Sequence, residues 1–457
     1  MANNVYIGMR YVPIFLGDWD NTISYEALSI VLYGNNTYTS KKPVPVGTLP
    51  TDTSYWVLTG NYNGMIAALQ QTIGDLNQLN TPIQSDIVHA INSINDFANV
   101  KTYGAVGDDS TDDTQAFLDA IATGRPVFVP AGTYKITSTL TPATGQLIMG
   151  SKSAIIKKYT TSELFVLNSN VTLMNLKLNG NNTSGEVVRI LGSWNNIINV
   201  MVEAMARGFR IYGTVGNPIT GNYFDNVVCE NATDIIMDIE NSNDDYFVNC
   251  VFDCINTNAG KPLFIGDHFN EAHTFVNCSF LRGNGASLGE SSKCKAIKYT
   301  NCFFDHIEGN VMVAGNVIDF VNCWIANRGN NGVNVTGENI NFDSCNFDSC
   351  KGVGISVKGT AKCIRVDNCN FLGCYTAGIM TETGFDFLSV TNCSFRKKSP
   401  RDAYNYDMAE GIHLTGGLGN APDHLLIAQN MFDTITDPIL PAGLHDGTGR
   451  LVINNIT

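Results

Sequence analysis

The segments FVNCVF (247–252), FVNCSF (275–280), YTNCFF (299–304), FVNCWI (320–325), FDSCNF (342–347), VDNCNF (366–371) and VTNCSF (390–395) restate one motif. Its cysteines are Cys250, Cys278, Cys302, Cys323, Cys345, Cys369 and Cys393, in steps of 28, 24, 21, 22, 24 and 24 residues. Looser copies place Leu176, Val200 and Val227 in that slot upstream, and Asn430 and Asn455 downstream. A fixed period in the low twenties is the mark of a solenoid.

Period-2 alternation selects strands over helices. In the copy 346–369 it marks three short strands, roughly Gly354–Val357, Lys362–Asp367 and Cys369–Phe371. Alternation slips by one residue just before each Cys. Asn199, Asn226, Asn249, Asn277, Asn301, Asn322, Asn368 and Asn392 hold that position, with Ser344 as the exception. Asn tolerates left-handed backbone and suits a tight bend. Stacked amides can then bond from coil to coil, which matters because a buried amide left unpaired costs about 1–3 kcal/mol. The fold class expected is mainly β, a right-handed parallel β-helix of about twelve coils and, at roughly 4.8 Å per coil, near 60 Å long. A leucine-rich horseshoe shares the period, but its LxxLxL pattern is absent.

The chain has 457 residues, 44% of them hydrophobic and 15% charged, enough for two or three domains. It carries no run of 18 apolar residues, so no membrane helix is expected. The N-terminus MANNVYIGMR lacks the basic and apolar regions of a signal peptide, which points to synthesis in the cytoplasm. A net charge of −14 speaks against a nucleic-acid partner. All 13 cysteines lie at or after Cys229. Their spacing fits no zinc site, so they are read as small packed hydrophobes, with no metal and no cofactor expected.

Residues 1–62 are rich in aromatics and turn residues. Tyr25–Val31, the turn Gly34-Asn35 and Thr37–Ser40 predict a hairpin. The spacing of Trp19, Tyr25, Val31, Tyr33, Tyr38, Pro45, Pro50 and Trp56 resembles small chitin-binding-like carbohydrate modules over about 45 residues. That resemblance makes Trp19 and Trp56 candidate glycan contacts. The same aromatics can equally form the core of a small β module serving as an adapter to a virion. Residues 63–99 then change period. Ile66, Ile73, Asn80, Ile87 and Ile94 fall at a, and Leu69, Leu76, Ile83, Ala90 and Phe97 at d. This predicts a coiled-coil-like helical neck, broken at 79–82 by Pro82, with Ile-rich seams that suit three or four strands; an amphipathic helical pair packed on its own chain is the alternative.

The segment VKTYGAVGDDSTDDTQAFLDAIATGRPVFVPAGTYKIT (100–137) resembles the opening of the pectate-lyase-like superfamily, found in phage tailspikes and polygalacturonase-like enzymes. Ser110 or Thr111 is expected to cap a helix over 112–122, with acids in its first turn and Ala116, Phe117, Ala120 and Ile121 plugging the open end of the β-helix at 100–457. Asp108, Asp109, Asp112 and Asp113 are read as turn and capping residues. Adapter, neck and β-helix together resemble a bacteriophage tailspike or tail appendage, similar to those of small podoviruses of Gram-positive hosts. The resemblance implies a homotrimer on the virion tail, bound to other tail proteins through residues 1–99 and to a host cell-surface polysaccharide or wall glycan. It also implies that some members are cut after assembly, and the abrupt ending VINNIT fits either a trimer-capped end or a processed precursor.

Glycan cleavage needs two carboxylates about 5–10 Å apart, or a base with a cation. Three places supply such groups. The first is Asp267, His268, Glu271 and His273, within a 28-residue coil. The second is Asp305, His306 and Glu308, although Asp253, Asp348 and Asp433 fill the slot of Asp305 in other coils and suggest a turn residue. The third is an insertion in the 37-residue coil from Cys393 to Asn430, with Arg401, Asp402, Tyr404, Tyr406, Asp407, Glu410 and His413. Rings that stack on sugars beside charges that bond hydroxyls make it a candidate glycan site; a trimer contact or a solvated loop is the alternative. Two functions therefore compete: a receptor-binding appendage, and a depolymerase acting as hydrolase or lyase. A free cellular lyase has no need of the neck.

Overall fold

The computed structural model describes residues 12–73, 97–255, 260–398, 408–415, 424–440, 450–453 and 455. It divides into two compact units, 1–96 and 97–457.

In the first unit, β1 (Ile14–Asp18), β2 (Ser29–Tyr33), β3 (Asn36–Ser40) and β4 (Trp56–Gly60) form one sheet in that order. The β2–β3 hairpin turns at Gly34 and Asn35, both at positive φ (54° and 62°), as a two-residue hairpin turn with native twist requires. Tyr25, Val31, Val44 and Trp56 make the core, and the Tyr25 and Trp56 rings meet edge to face at 5.3 Å. Trp56 is 1% exposed. It is therefore a core residue with no face to offer a sugar, which corrects its assignment as a glycan contact. Trp19 is half-buried, its ring edge-on to Tyr33 at 5.3 Å. Of the expected neck, α1 (Tyr62–Ile73) is described, with Met65, Ile66 and Leu69 exposed. The remaining heptads and the break at 79–82 lie outside the described residues.

The second unit is a parallel β-helix of about 13 turns. One turn runs Ile355–Val357, Lys362–Asp367 and Asn370–Leu372, within a residue or two of the expected strands. Here these are called the first, second and third faces. Each face pairs in register with the next coil: Ile355 with Ile379, Ile364 with Leu388, Phe371 with Phe395. Inward side chains stack by kind. The rings of Phe224, Phe247, Phe275, Tyr299, Phe320 and Phe342 form one column at 4.5–4.9 Å. The seven motif cysteines form another, with Sγ donating to backbone carbonyls, as from Cys369 to Phe342 at 3.4 Å. All thirteen cysteines are free thiols.

The bend residues behave as their identity demands. Asn199, Asn226, Asn249, Asn277, Asn301, Asn322, Ser344, Asn368 and Asn392 have φ between 52° and 57°. Their amides are laddered, Asn322 to Asn301 at 2.8 Å and Asn301 to Asn277 at 3.2 Å. This ladder is on the outside, so it does not relieve a buried amide as expected. The buried ladder stands elsewhere, in the inward run of Asn195, Asn222 and Asp245, with His273 next in the column, each 0% exposed.

The plug helix α2 spans Thr114–Ala122, two residues shorter than expected. Phe117, fully buried, meets Tyr134 edge to face at 5.3 Å and joins the solenoid core. Neither Ser110 nor Thr111 caps it. Asp112 accepts from the Thr114 N–H at 3.1 Å, Asp108 accepts from Ser110 and Thr111 N–H, and Asp113 accepts from Val106 N–H at 2.6 Å. These aspartates are turn residues, and the first turn of the helix carries no acid. At its other end Gln146, 3% exposed, donates to the carbonyls of Ile121 and Arg125.

Candidate functional site

The loop and strand around 267–273 do not converge. Asp267 and His268 are exposed at the turn after the first-face strand Lys261–Ile265. Hydrogen bonding to Ser291, with the Lys293 ammonium beside it, holds the Asp267 carboxyl below its usual range. Glu271 pairs with Asn243 and Lys295 on the second face. His273 points inward, its Nδ1 3.3 Å from Asp245. Burial lowers the His273 pKa to about 3 and raises that of Asp245 to about 7.

His268 instead reaches a cluster that no motif had marked. In two coils the third face runs on into the first as single long strands, Met201–Tyr212 and Val228–Glu240, in register from Phe209–Met237 to Tyr212–Glu240. Charges alternating with core residues at their ends therefore stack outward. Arg210 sits at the centre, with its guanidinium 3.2 Å from Asp238, 3.3 Å from Glu240 and 3.5 Å from Glu186. It also lies over the Tyr212 ring at 4.5 Å. Arg207 adds contacts to Asp234 at 2.5 Å and Asp238 at 3.6 Å, and His268 Nδ1 is 3.0 Å from Glu240. Asp238 is 2% exposed and its Oδ1 has no hydrogen-bond partner. Burial, opposed by Arg210, raises its pKa to about 6. The arrangement supplies a carboxyl that holds its proton up to about pH 6, carboxyl groups beside it, and a ring and guanidinium able to meet a sugar.

Asp305 stands at the end of a third-face strand, bonded to His306 Nδ1 at 2.8 Å, and His306 has φ 58°. Asp253 and Asp348 occupy the same register column and bind Arg282 and Lys398. The slot is thus a turn position. Glu308 is exposed beyond it. In the insertion, Glu410 and His413 share a first-face strand and meet at 2.6 Å. Arg401, Asp402, Tyr404, Tyr406 and Asp407 lie outside the described residues. Among the described residues no group of three or more His, Cys, Asp or Glu is placed to hold a metal ion.

A family model described as rhamnogalacturonase A/epimerase, pectate lyase-like, matches residues 97–293, and one described as right handed beta helix region matches 268–432. The pre-neck appendage protein of Bacillus phage phi29 is 35% identical over 109 residues, 21% of this chain and 13% of that protein. The matched segment is thus a small part of that relative's length. Tailspike protein 3 of bacteriophage CBA120 superimposes with a TM-score of 0.55 at 15% identity, over 97% of this chain and 78% of its own. The pre-mature bacteriophage phi29 gene product 12 does so with 0.52 at 17% identity, over 78% of this chain and 58% of its own. At such identities the solved structures speak for the fold. The chain thus folds as a parallel β-helix whose residues 97–293 are similar to the pectate-lyase-like model and 268–432 to the right-handed β-helix model, with a segment similar to the pre-neck appendage proteins of Bacillus phages.

Proposed function

We propose that this chain is a phage tail appendage that attaches a virion to a host surface glycan. The observation that carries the reading is the outward strip of Arg210, Tyr212, Glu240 and His268, held by the buried Asp238 and set on a rigid solenoid in a chain akin to virion appendages. A ring beside a guanidinium and carboxylates suits sugar faces and hydroxyls together. The chain works as a homotrimer joined to other tail proteins through residues 1–99, which the exposed Met65, Ile66 and Leu69 of α1 support. The test is retention of labelled full-length chain on Bacillus cell walls before and after periodate oxidation of their sugars. Retention should fall on oxidised walls; equal retention sinks the reading.

A second reading, depolymerisation, rests on Asp238. Burial raises the Asp238 pKa to about 6, and a carboxyl shifted upward beside a more exposed one is the pairing a hydrolase uses for its acid. Release of shortened fragments by the wild-type chain, abolished in Asp238→Asn, would support it. Intact polymer after prolonged incubation would reduce the cluster to a binding and structural role.

A further inference from the structure

A second surface lies on another face of the solenoid. Tyr223 and Tyr246 are in register on adjacent second-face strands, their rings stacked at 6.0 Å and 6°. Next to them on Tyr223's own strand path, across the inward Asn222, is Gly221. The Trp194 indole of the preceding coil lies over this glycine, and a Cβ there would sit 2.4 Å from the ring. Gly221 therefore leaves the room in which the indole is seated. Trp194 itself has φ 63°, a conformation costly for a bulky residue and imposed by the bend that Asn170, Gly221 and Asp244 repeat in neighbouring coils. Yet the indole is 57% exposed and Tyr246 is 40% exposed. The rim is polar: Ser193 Oγ accepts from Thr220 N–H at 3.0 Å, and Thr220 Oγ1 donates to Asp244 at 3.1 Å. Residues 191–200, 213–228 and 241–251, the segments that carry these rings, contain Asp225, Asp244 and the buried Asp245 but no Lys or Arg; the first cation in the Tyr223–Tyr246 register column is Lys298, two strands beyond Tyr246.

We propose that Trp194, Tyr223 and Tyr246 form a stacking subsite for an uncharged sugar. Flat rings meet the C–H faces of a pyranose, and Asp225 and Asp244 accept its hydroxyls. A uronate or phosphate seated on these rings would meet two carboxylates, with the first cation of the column two strands away at Lys298. The proposal rests on the attachment reading for its ligand class and adds the site and its charge preference.

The experiment is binding of the full-length chain to an array of uncharged and acidic oligosaccharides, with Trp194→Ala and Tyr246→Ala beside the wild type and the assembly size of each by sedimentation. Retention on uncharged members, reduced about tenfold or more by Trp194→Ala at unchanged assembly size, is the expected result. Retention on acidic members alone, on none, or equally by both variants overturns it. So does a smaller assembly in either variant, which would make the face a contact between copies. Adsorption to cell walls that persists in Trp194→Ala while array binding is absent leaves the attachment reading standing and removes this one.

Discussion

At the scale of single residues, the most informative group is Asp245. It is fully buried, and Asn222 donates to it from both its backbone and its amide, at 3.0 and 2.9 Å. Its folded pKa of about 7 is above the ordinary 3.8, so its contribution to stability is intact below pH 4 and is lost as pH rises towards 7. His273 has the opposite sign: lowered from 6.5 to about 3, it favours the fold above pH 6.5 and loses that contribution as pH falls. Asp245→Asn removes the first term and continues the amide column of Asn195 and Asn222. Its unfolding free energy should equal the wild type's near pH 4 and exceed it increasingly up to about pH 7, by on the order of 2–4 kcal/mol. A constant difference across pH would refute the burial argument. At the bends, Asn322→Gly should be tolerated, whereas Asn322→Val should cost about 1–2 kcal/mol, because a β-branched side chain pays the left-handed penalty. Denaturant midpoints of the two variants decide it.

At the scale of elements, α2 and the long strands carry different loads. Phe117→Ala opens a cavity between helix and first coils, at an expected cost of about 3–5 kcal/mol, read as a lowered melting midpoint. Arg210→Met leaves Glu186, Asp238 and Glu240 without their shared cation. Because Arg210 is partly solvated, the expected loss is about 2 kcal/mol at pH 8 and less at pH 5, where Asp238 holds its proton. A variant as stable as the wild type at both pH values would show the network to be energetically idle, and a residue kept for ligand rather than fold. The charges at 24–30-residue separations, Glu186 to Arg210 and Arg210 to Glu240, were legible in principle as coil-to-coil pairs. They were obscured because these coils lack the NC motif that sets the register downstream.

At the scale of the whole molecule, the thirteen thiols are packing groups, so reductant should leave the melting curve unchanged; a downward shift would reveal a disulfide. The period, the Asn bends, the hairpin at Gly34-Asn35 and the plug helix were all read from the chain, because each is a local rule repeated or a local conformational preference. Sequence alone determined that this is a parallel β-helix with an apolar plug, since a recurring alternation and a residue tolerant of left-handed backbone act within a few positions. Tertiary structure decided which groups meet. It sent His273 inward and His268 outward from one short segment, buried Trp56, turned the Asn ladder to solvent, and gathered Arg210 with carboxylates from the two flanking coils. Those outcomes depend on the lengths of the turns between strands, which set the register of one coil on the next, and no local pattern encodes that register where coils differ in length.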